Sequence, residues 1–261
     1  MLTRNLEWAM PAEHKIDKIG LELYSVRHIL EFDFEGILAK VAEIGYREVE
    51  FAGLFAHSPS DVRTMLDRHG LVAPSSHVDY KFLGAEWPKT LEDAHKLGQS
   101  YIVCPSIDEP LRSSIDAWKR VAQTFNRAGE ESRKAGIQFA YHNHEFEFKA
   151  LDGKIPYDII LRECDPSLVK MEMDLFWVVE GGAEPITYFD RYPGRFPLVH
   201  VKDRKKNGEM VDVGAGVIDF KSIFAQAKKA GIEHYFVEHD EPKNPIASVT
   251  NSFEYLRVLS F

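Results

Sequence analysis

Ile137-Gln138-Phe139-Ala140-Tyr141-His142-Asn143-His144-Glu145-Phe146-Glu147-Phe148 is the stretch on which the fold turns. It follows Ala135-Gly136, a helix-stop signal, and its first half alternates as a strand does. Phe139 and Tyr141 point to one face, while Ala140, His142 and His144 point to the other. Two imidazoles on one strand face, followed by Glu145 and Glu147, suit the floor of a metal or proton-transfer site better than a structural exterior. Immediately upstream, Ile115 to Ala135 reads as a long amphipathic helix with Val121, Phe125 and Ala128 on its apolar side. Downstream, Ile155 to Arg162 is helical again. The stretch is one strand in a helix–strand–helix succession.

The same unit recurs in both directions. Towards the N-terminus, strands are predicted over Ile19 to Ser25, Tyr46 to Ala52, Leu71 to His77 and Tyr101 to Pro105. Helices over Asp33 to Ile44, Ser60 to His69 and Leu91 to Leu97 separate them, and each stops at a glycine. Towards the C-terminus, strands fall at Leu168 to Asp174, Phe196 to Lys202 and Tyr235 to Glu238. The helices there are Pro185 to Tyr192, Asp219 to Ala230 and Ala247 to Leu259. Strict alternation at a spacing of roughly 30 residues predicts parallel strands joined by crossover helices. Eight such units predict an α/β fold of the (β/α)8 TIM barrel type, a single domain over 19–261 behind a polar leader at 1–18. A doubly wound open sheet would need a glycine-rich phosphate turn after strand one, where the chain has Ser25-Val26-Arg27-His28. Gly214-Ala215-Gly216 comes far too late and lacks the third glycine.

Composition narrows the function. The chain of 261 residues is 44% hydrophobic and carries a net charge of −9, which argues against a nucleic-acid partner. Only Cys104 and Cys164 are present, too few for a disulfide framework, and both read as small apolar residues. No apolar run reaches the length of a membrane span, and Met1 to Lys18 is too polar for a secretory segment. A cytoplasmic protein is expected, with a trimmed exported precursor as the alternative.

Strand parity then locates a site. In strand six Lys170, Glu172 and Asp174 share the face opposite Val169, Met171 and Met173. Leu198, His200 and Lys202 oppose Val199 and Val201 in strand seven, and Phe236 and Glu238 oppose Tyr235 and Val237 in strand eight. With the apolar sets towards the outer helices, Glu172, Asp174, His200, Lys202 and Glu238 face the barrel axis beside His142 and His144. Burying that many ionisable groups costs several kcal/mol unless they pair or bind a cation. A mixed Asp/Glu/His set suits manganese, magnesium, cobalt or zinc. His77, Glu22 and Glu50 are further candidates at strand ends, Trp177 is a candidate pocket wall, and Glu172 sits one layer deeper. His57, His69, His95 and His239 read as surface or loop groups, and the run Lys202 to Lys206 as a solvated loop.

These marks together resemble the sugar phosphate isomerase/epimerase family of xylose isomerase-like barrels, related to tagatose and psicose epimerases and to inosose dehydratase. They are Gly20 to Arg27 at strand one, Tyr141-His142-Asn143-His144 at strand five and Met173-Asp174-Leu175 at strand six. His200-Val201-Lys202-Asp203 at strand seven and Val237-Glu238 at strand eight complete the set, which spans nearly the whole chain. The resemblance implies one divalent ion held by a strand-five Glu, a strand-six Asp, a strand-seven His and a strand-eight Glu. The last three carry over to Asp174, His200 and Glu238; at strand five the chain has His142 instead. Either His142 is the fourth metal ligand, which parity favours, or Glu145 swings in, or the site is weakened.

The resemblance also implies the chemistry: proton abstraction beside a carbonyl of a keto-sugar or sugar derivative, through an enediolate. Glu238 is the expected base, His144 or His142 its partner in proton transfer, and Lys202 an oxyanion or substrate contact; His77, Glu22, Glu172 and Trp177 would face the substrate. Epimerisation, isomerisation and elimination, including dehydration or keto-glycoside cleavage, begin alike, and the loss of one carboxylate leans towards one-base elimination or isomerisation. A small-molecule sugar is the expected partner, with a homodimer as a further expectation from fold analogy. The rival readings are a non-catalytic sugar-binding or accessory subunit and an abasic-site endonuclease. The latter needs Asp-x-x-His after strand six, where the chain has Asp174-Leu175-Phe176-Trp177.

Overall fold

Each turn of hydrophobic alternation becomes one strand of a ring. The computed structural model describes residues 14–261, so most of the leader at 1–18 lies outside the described residues. Strands one to eight are Ile19–Glu22, Glu48–Phe51, Val72–Ser76, Tyr101–Cys104, Gln138–His142, Val169–Asp174, Leu198–Val201 and His234–Val237. All neighbouring pairs within the sheet are parallel. Strand one pairs with strand eight, placing Gly20 opposite Phe236. A Cβ at Gly20 would meet the Phe236 ring at 2.5 Å, so the missing side chain lets that ring fill the lumen. The barrel closes between strands three and four through a bridge from His77 to Val103, with Val78 N donating to Val103 O at 2.8 Å.

Two kinds of core follow from the parity. Outward side chains such as Leu21, Val49, Phe139, Met171, Val199 and Val237 join the large core beneath the helices. Inside the ring the apolar plug is small, made of Val103, Ala140, Leu198 and Phe236. Everything above that plug, towards the strand C-termini, is polar. This is the end at which barrels of this type carry their sites.

The helices are set by their caps. Asp33, Ser58, Ser114 and Asn244 accept from backbone N–H groups three residues on, at Gly36, Asp61, Ala117 and Ala247. The fourth-strand approach helix begins at Trp87 rather than Leu91, because Pro88 is well tolerated in a first helical turn. The expected helix over 219–230 is two pieces, Phe220–Phe224 and Ala227–Ala230. Strand one stops at Glu22, whose carboxylate accepts from Tyr24 N at 2.9 Å and turns the chain into a 3-10 helix over Leu23–Val26. A short helix, Leu175–Glu180, follows strand six with Asp174 as its cap.

The run from Lys202 to Lys206 differs from a solvated loop. Lys202 and Asp203 are buried, and the chain continues into a two-stranded ribbon, Asp203–Arg204 with Met210–Val211. Asp203 accepts from Gly214 N, Gly216 N and Ile218 N at 3.0, 2.9 and 3.2 Å, so it ties the long loop after strand seven to the strand itself. Only the distal lysines of the run are solvated. Among the described residues no helix is long and apolar enough to cross a membrane.

Candidate active site and metal centre

Strands five to eight end on the polar layer, and their parity aims His142, Glu172, Asp174, His200, Lys202 and Glu238 into one space. A cavity of about 450 Å³ opens above it, lined by Tyr24, His77, His142, His144, Lys202 and Glu238, with Asp240 and Glu241 at its edge. The Lys202 ammonium sits at the floor of this mouth, 3.0 Å from Asp174 Oδ2, 2.6 Å from Glu238 Oε2 and 2.8 Å from Asp240 Oδ1. Three carboxylates around one buried ammonium satisfy the requirement that a buried charge be paired.

A second layer lies beneath. His200 Nδ1 stands 2.7 Å from Glu238 Oε2, and its Nε2 stands 2.6 Å from Glu50 Oε2. Glu172 Oε2 is 2.8 Å from His77 Nε2, 3.0 Å from His142 Nδ1 and 3.2 Å from His200 Nε2. Glu22 completes the layer. Buried Glu172 Oε1 and His144 Nδ1 have no hydrogen-bond partner, whereas Glu22, raised well above its ordinary value by burial and by Glu50, shares a hydrogen bond with Glu50. Orphaned buried oxygens beside imidazoles are what a cation site presents.

Electrostatics sorts these groups. Burial pushes the Asp174 carboxyl up to about 6, with Lys202 acting against that rise. Glu238 is held well below its ordinary value: burial alone would raise it, but Lys202 and His200 outweigh burial. Likewise His200 is held well above its ordinary value, against burial, by Glu172 and Glu238. Burial, with Lys202 beside it, lowers His144 to about 4, so its imidazole is neutral near neutral pH. His142 is lowered well below its usual range by burial and by His200.

A tight turn sets the position of His144. Glu147, fully buried, accepts from the Tyr141 hydroxyl and from His144 N, the latter at 2.9 Å. The His144 ring stacks on Phe146, with centroids 5.5 Å apart, and faces Trp177 at 5.7 Å. Glu145 points away and pairs with Lys149 at 3.0 Å.

The structure therefore brings together Asp174, His200 and Glu238, and sets His142 Nε2 3.7 Å from Asp174 Oδ2. Glu172 lies in the lower layer, one layer deeper as expected, and His77 both lines the cavity and reaches down to Glu172 at 2.8 Å. Glu22 lies there too, spending one oxygen on its cap. Trp177 forms the wall beside His144 and Lys202. Asp240 went unnoticed in the sequence, and Glu147 was named there only as a carboxylate following the two imidazoles. Asp240 follows Glu238 at the interval that keeps parity, which was the available signal; Glu147 sits in a turn where parity has no meaning. His57, expected as a surface or loop group, lies in a loop, half-buried, with its ring 4.4 Å from that of Phe34.

Comparison with known proteins places this geometry. The family described as xylose isomerase-like TIM barrel matches residues 38–259. The inosose dehydratase of Lacticaseibacillus casei is 26% identical over 263 residues, covering 86% of this chain and 87% of that protein. A sugar phosphate isomerase/epimerase of known structure from Parabacteroides distasonis superimposes with a TM-score of 0.82 at 30% identity, covering 97% of this chain and 96% of its own. The IolI protein, whose structure holds a zinc atom, shares the fold with a TM-score of 0.70 at 15% identity, covering 91% of this chain and 95% of its own.

Proposed function

The chain belongs to the xylose isomerase-like TIM barrel family, and on that premise we propose that it is a divalent-metal-dependent isomerase, epimerase or lyase, dehydration included. Its substrate is a keto-sugar or related sugar derivative, and the reaction begins by removing the proton next to the carbonyl. The observation that carries this reading is the pair formed by Lys202 and Glu238, 2.6 Å apart at the floor of a cavity of about 450 Å³. Glu238 is ionised and therefore able to accept a proton, and Lys202 supplies positive charge where an enolate oxygen develops. Neutral His144 lines the same cavity, where its imidazole can meet a substrate hydroxyl or departing group. Tyr24 walls the space, and its aromatic face suits the C–H side of a sugar ring, while Trp177 backs His144 and Lys202.

Among the described residues three groups of donors could hold a divalent ion: Asp174, His200 and Glu238, with the expected fourth residue His142 3.7 Å from Asp174; His77, His142, Glu172 and His200 beneath; and Glu22, Glu50, His77 and His200. A bound ion would supply Lewis acidity to the carbonyl. The inosose dehydratase relatives support elimination of water as one outcome, and the imidazole of His142 in place of a second carboxylate favours a single-base reaction. Manganese, cobalt, zinc and magnesium are all accepted by such donors, with imidazole favouring the transition ions. A cytoplasmic setting belongs to the same proposal and rests on two buried, unpaired thiols, Cys104 and Cys164.

The test is deuterium exchange into a panel of keto-sugars and keto-cyclitols by the metal-loaded protein in D₂O. Wild type is expected to exchange the proton beside the carbonyl of at least one member, and Glu238→Gln to lose at least about 100-fold of that rate. Tight binding of the same compound without exchange would instead establish a sugar-binding subunit.

A further inference from the structure

We propose that Arg27 is the positioning residue of the cavity mouth: its guanidinium clasps Tyr24 to the Asp240–Glu241 rim, and the mouth so built admits a sugar that carries no phosphate. The inference rests on the functional reading above in taking a keto-sugar or sugar derivative as the ligand.

Strand one ends by turning into the 3-10 helix Leu23–Val26, which leaves Arg27 beside the segment that follows strand eight. Arg27 Nη1 donates to Tyr24 O at 2.8 Å and to Asp240 O at 2.6 Å, and Nη2 donates to the Glu241 carboxylate. The flat of the guanidinium lies over the Tyr24 ring, 3.8 Å from its centroid. A planar fork with a stacking face can hold all of these partners at once, which an ammonium cannot. Ser25 Oγ adds a second tie by accepting from His239 N at 3.0 Å. Arg27 and Asp240, 213 positions apart, are thereby latched above the seam between strands one and eight.

Three of the groups that Arg27 holds, Tyr24, Asp240 and Glu241, line the cavity, while Arg27 itself does not. Asp240 passes the restraint inward, because its Oδ1 accepts from Lys202 Nζ at 2.8 Å. Removing Arg27 frees this rim without touching Glu238, which keeps His200 at 2.7 Å and Lys202 at 2.6 Å. Holding the ligand and removing its proton are thus separable.

The same contacts spend the cations of the mouth. Lys202 is shared by Asp174, Glu238 and Asp240, and Arg27 is taken by Glu241. Two cations face four carboxylates, so a divalent ion on Asp174, His200 and Glu238 brings the mouth to neutrality and not to a positive surplus. His77 answers to Glu172 and Glu50, at 2.8 and 3.4 Å. Among the described residues no arginine lines the cavity. A phosphate dianion is held by arginine forks or free ammonium groups, and the mouth has neither to give. The hydroxyls of an uncharged sugar, by contrast, find acceptors in Asp240 and Glu241.

The experiment sets each free sugar against its phosphate. D-Fructose, D-tagatose and inosose, each with its monophosphate ester, are titrated calorimetrically into the metal-loaded full chain, and proton exchange in D₂O gives KM and kcat. Wild type is expected to bind at least one free sugar at least about 10-fold more tightly than its ester. Arg27→Met should raise KM for that sugar at least about 10-fold while lowering kcat less than about 3-fold. Arg27→Lys, which keeps the charge and loses the fork, should behave as Arg27→Met does. A fall in kcat with KM unchanged would mean that Arg27 serves only the fold, and it overturns the proposal, as does an ester bound more tightly than its sugar. Tyr24→Ala, at a part-exposed ring, keeps the test open where Arg27→Met does not fold: it should weaken sugar affinity at least about 5-fold, and unchanged affinity overturns the clasp. Sugar binding without exchange, weakened as calorimetry would show in Arg27→Met, leaves the clasp standing and removes the functional reading. No binding by any of these compounds overturns both.

Discussion

Replacing Lys202 by methionine keeps the length of the side chain and removes its charge. In the native protein that charge is the nearest cation to two buried carboxylates, Asp174 and Glu238, at 3.0 and 2.6 Å. Removing one partner of a buried ion pair typically costs about 3–5 kcal/mol, because the remaining charge is left uncompensated. The same range is expected here. Glu238 retains His200 at 2.7 Å and Asp240 is part-exposed, so the loss should fall within that range and not multiply with the number of partners. The sign of the pH dependence follows from the carboxyls. In wild type, Glu238 is held low, so it contributes stability above the ordinary carboxyl range that is lost as pH falls through its depressed value. Asp174 is raised by burial to about 6, so its protonation favours the fold at low pH and that contribution is lost as pH rises through about 6. Without Lys202 both carboxyls titrate higher, and the variant depends still more on their protonation. The stability gap between wild type and Lys202→Met should therefore be largest at about pH 8 and narrow towards about pH 5. Urea denaturation followed by far-ultraviolet circular dichroism measures it at both values. Equal stability at about pH 8, or a gap that widens on acidification, would refute the assignment of Lys202 as the buried counter-ion.

Two further predictions concern the frame around the site. Asp203→Ala removes the acceptor of Gly214 N, Gly216 N and Ile218 N; with hydrogen bonds to charged groups at about 1.5–3 kcal/mol each, a loss of at least about 3 kcal/mol is expected. Faster hydrogen exchange at those three amides should accompany it, and unchanged exchange would contradict the tie. Gly129→Ala places a Cβ 2.6 Å from the backbone oxygen of Leu168, so a substitution that in an open helix would gain about 1 kcal/mol should instead cost about 1–3 kcal/mol. A raised melting temperature would show that the helix does not press on strand six at that point.

The barrel was legible because each strand carries its own instruction. Met171 and Met173 outward and Glu172 and Asp174 inward is a local statement that needs no knowledge of the neighbours, and eight such statements in alternation with helices leave few topologies. What local parity lacks is height. Glu50 and Glu48 have the same parity in strand two, yet Glu50 faces His200 at 2.6 Å while Glu48 pairs with His234 at 2.8 Å on the other side of the apolar plug. The difference arises from the stagger of a closed sheet, which places residues 150 positions apart side by side. Charge runs mislead for a related reason. Lys202 and Asp203 belong to a sequence that looks solvated, but the chain leaves strand seven while still inside the ring, and carboxylates from strands six and eight are waiting there.

The same reasoning explains why the candidate ligands could be collected from sequence and their roles could not. Parity gathers every inward ionisable residue above the plug, but it treats His142, Glu172, Asp174 and His200 as one set. Register divides them into two levels, because His142 is opposite Glu172 while His200 is opposite Asp174. Each of the two shared imidazoles then has one nitrogen towards each level. A cation on one level turns the carboxylates of the other into its orienting partners, so the two levels cannot have equivalent roles. Lys202, reaching inward from the end of strand seven, sets its ammonium between Asp174 and Glu238 on the upper level. Its single charge therefore bears both on stability and on the protonation of Asp174 and Glu238.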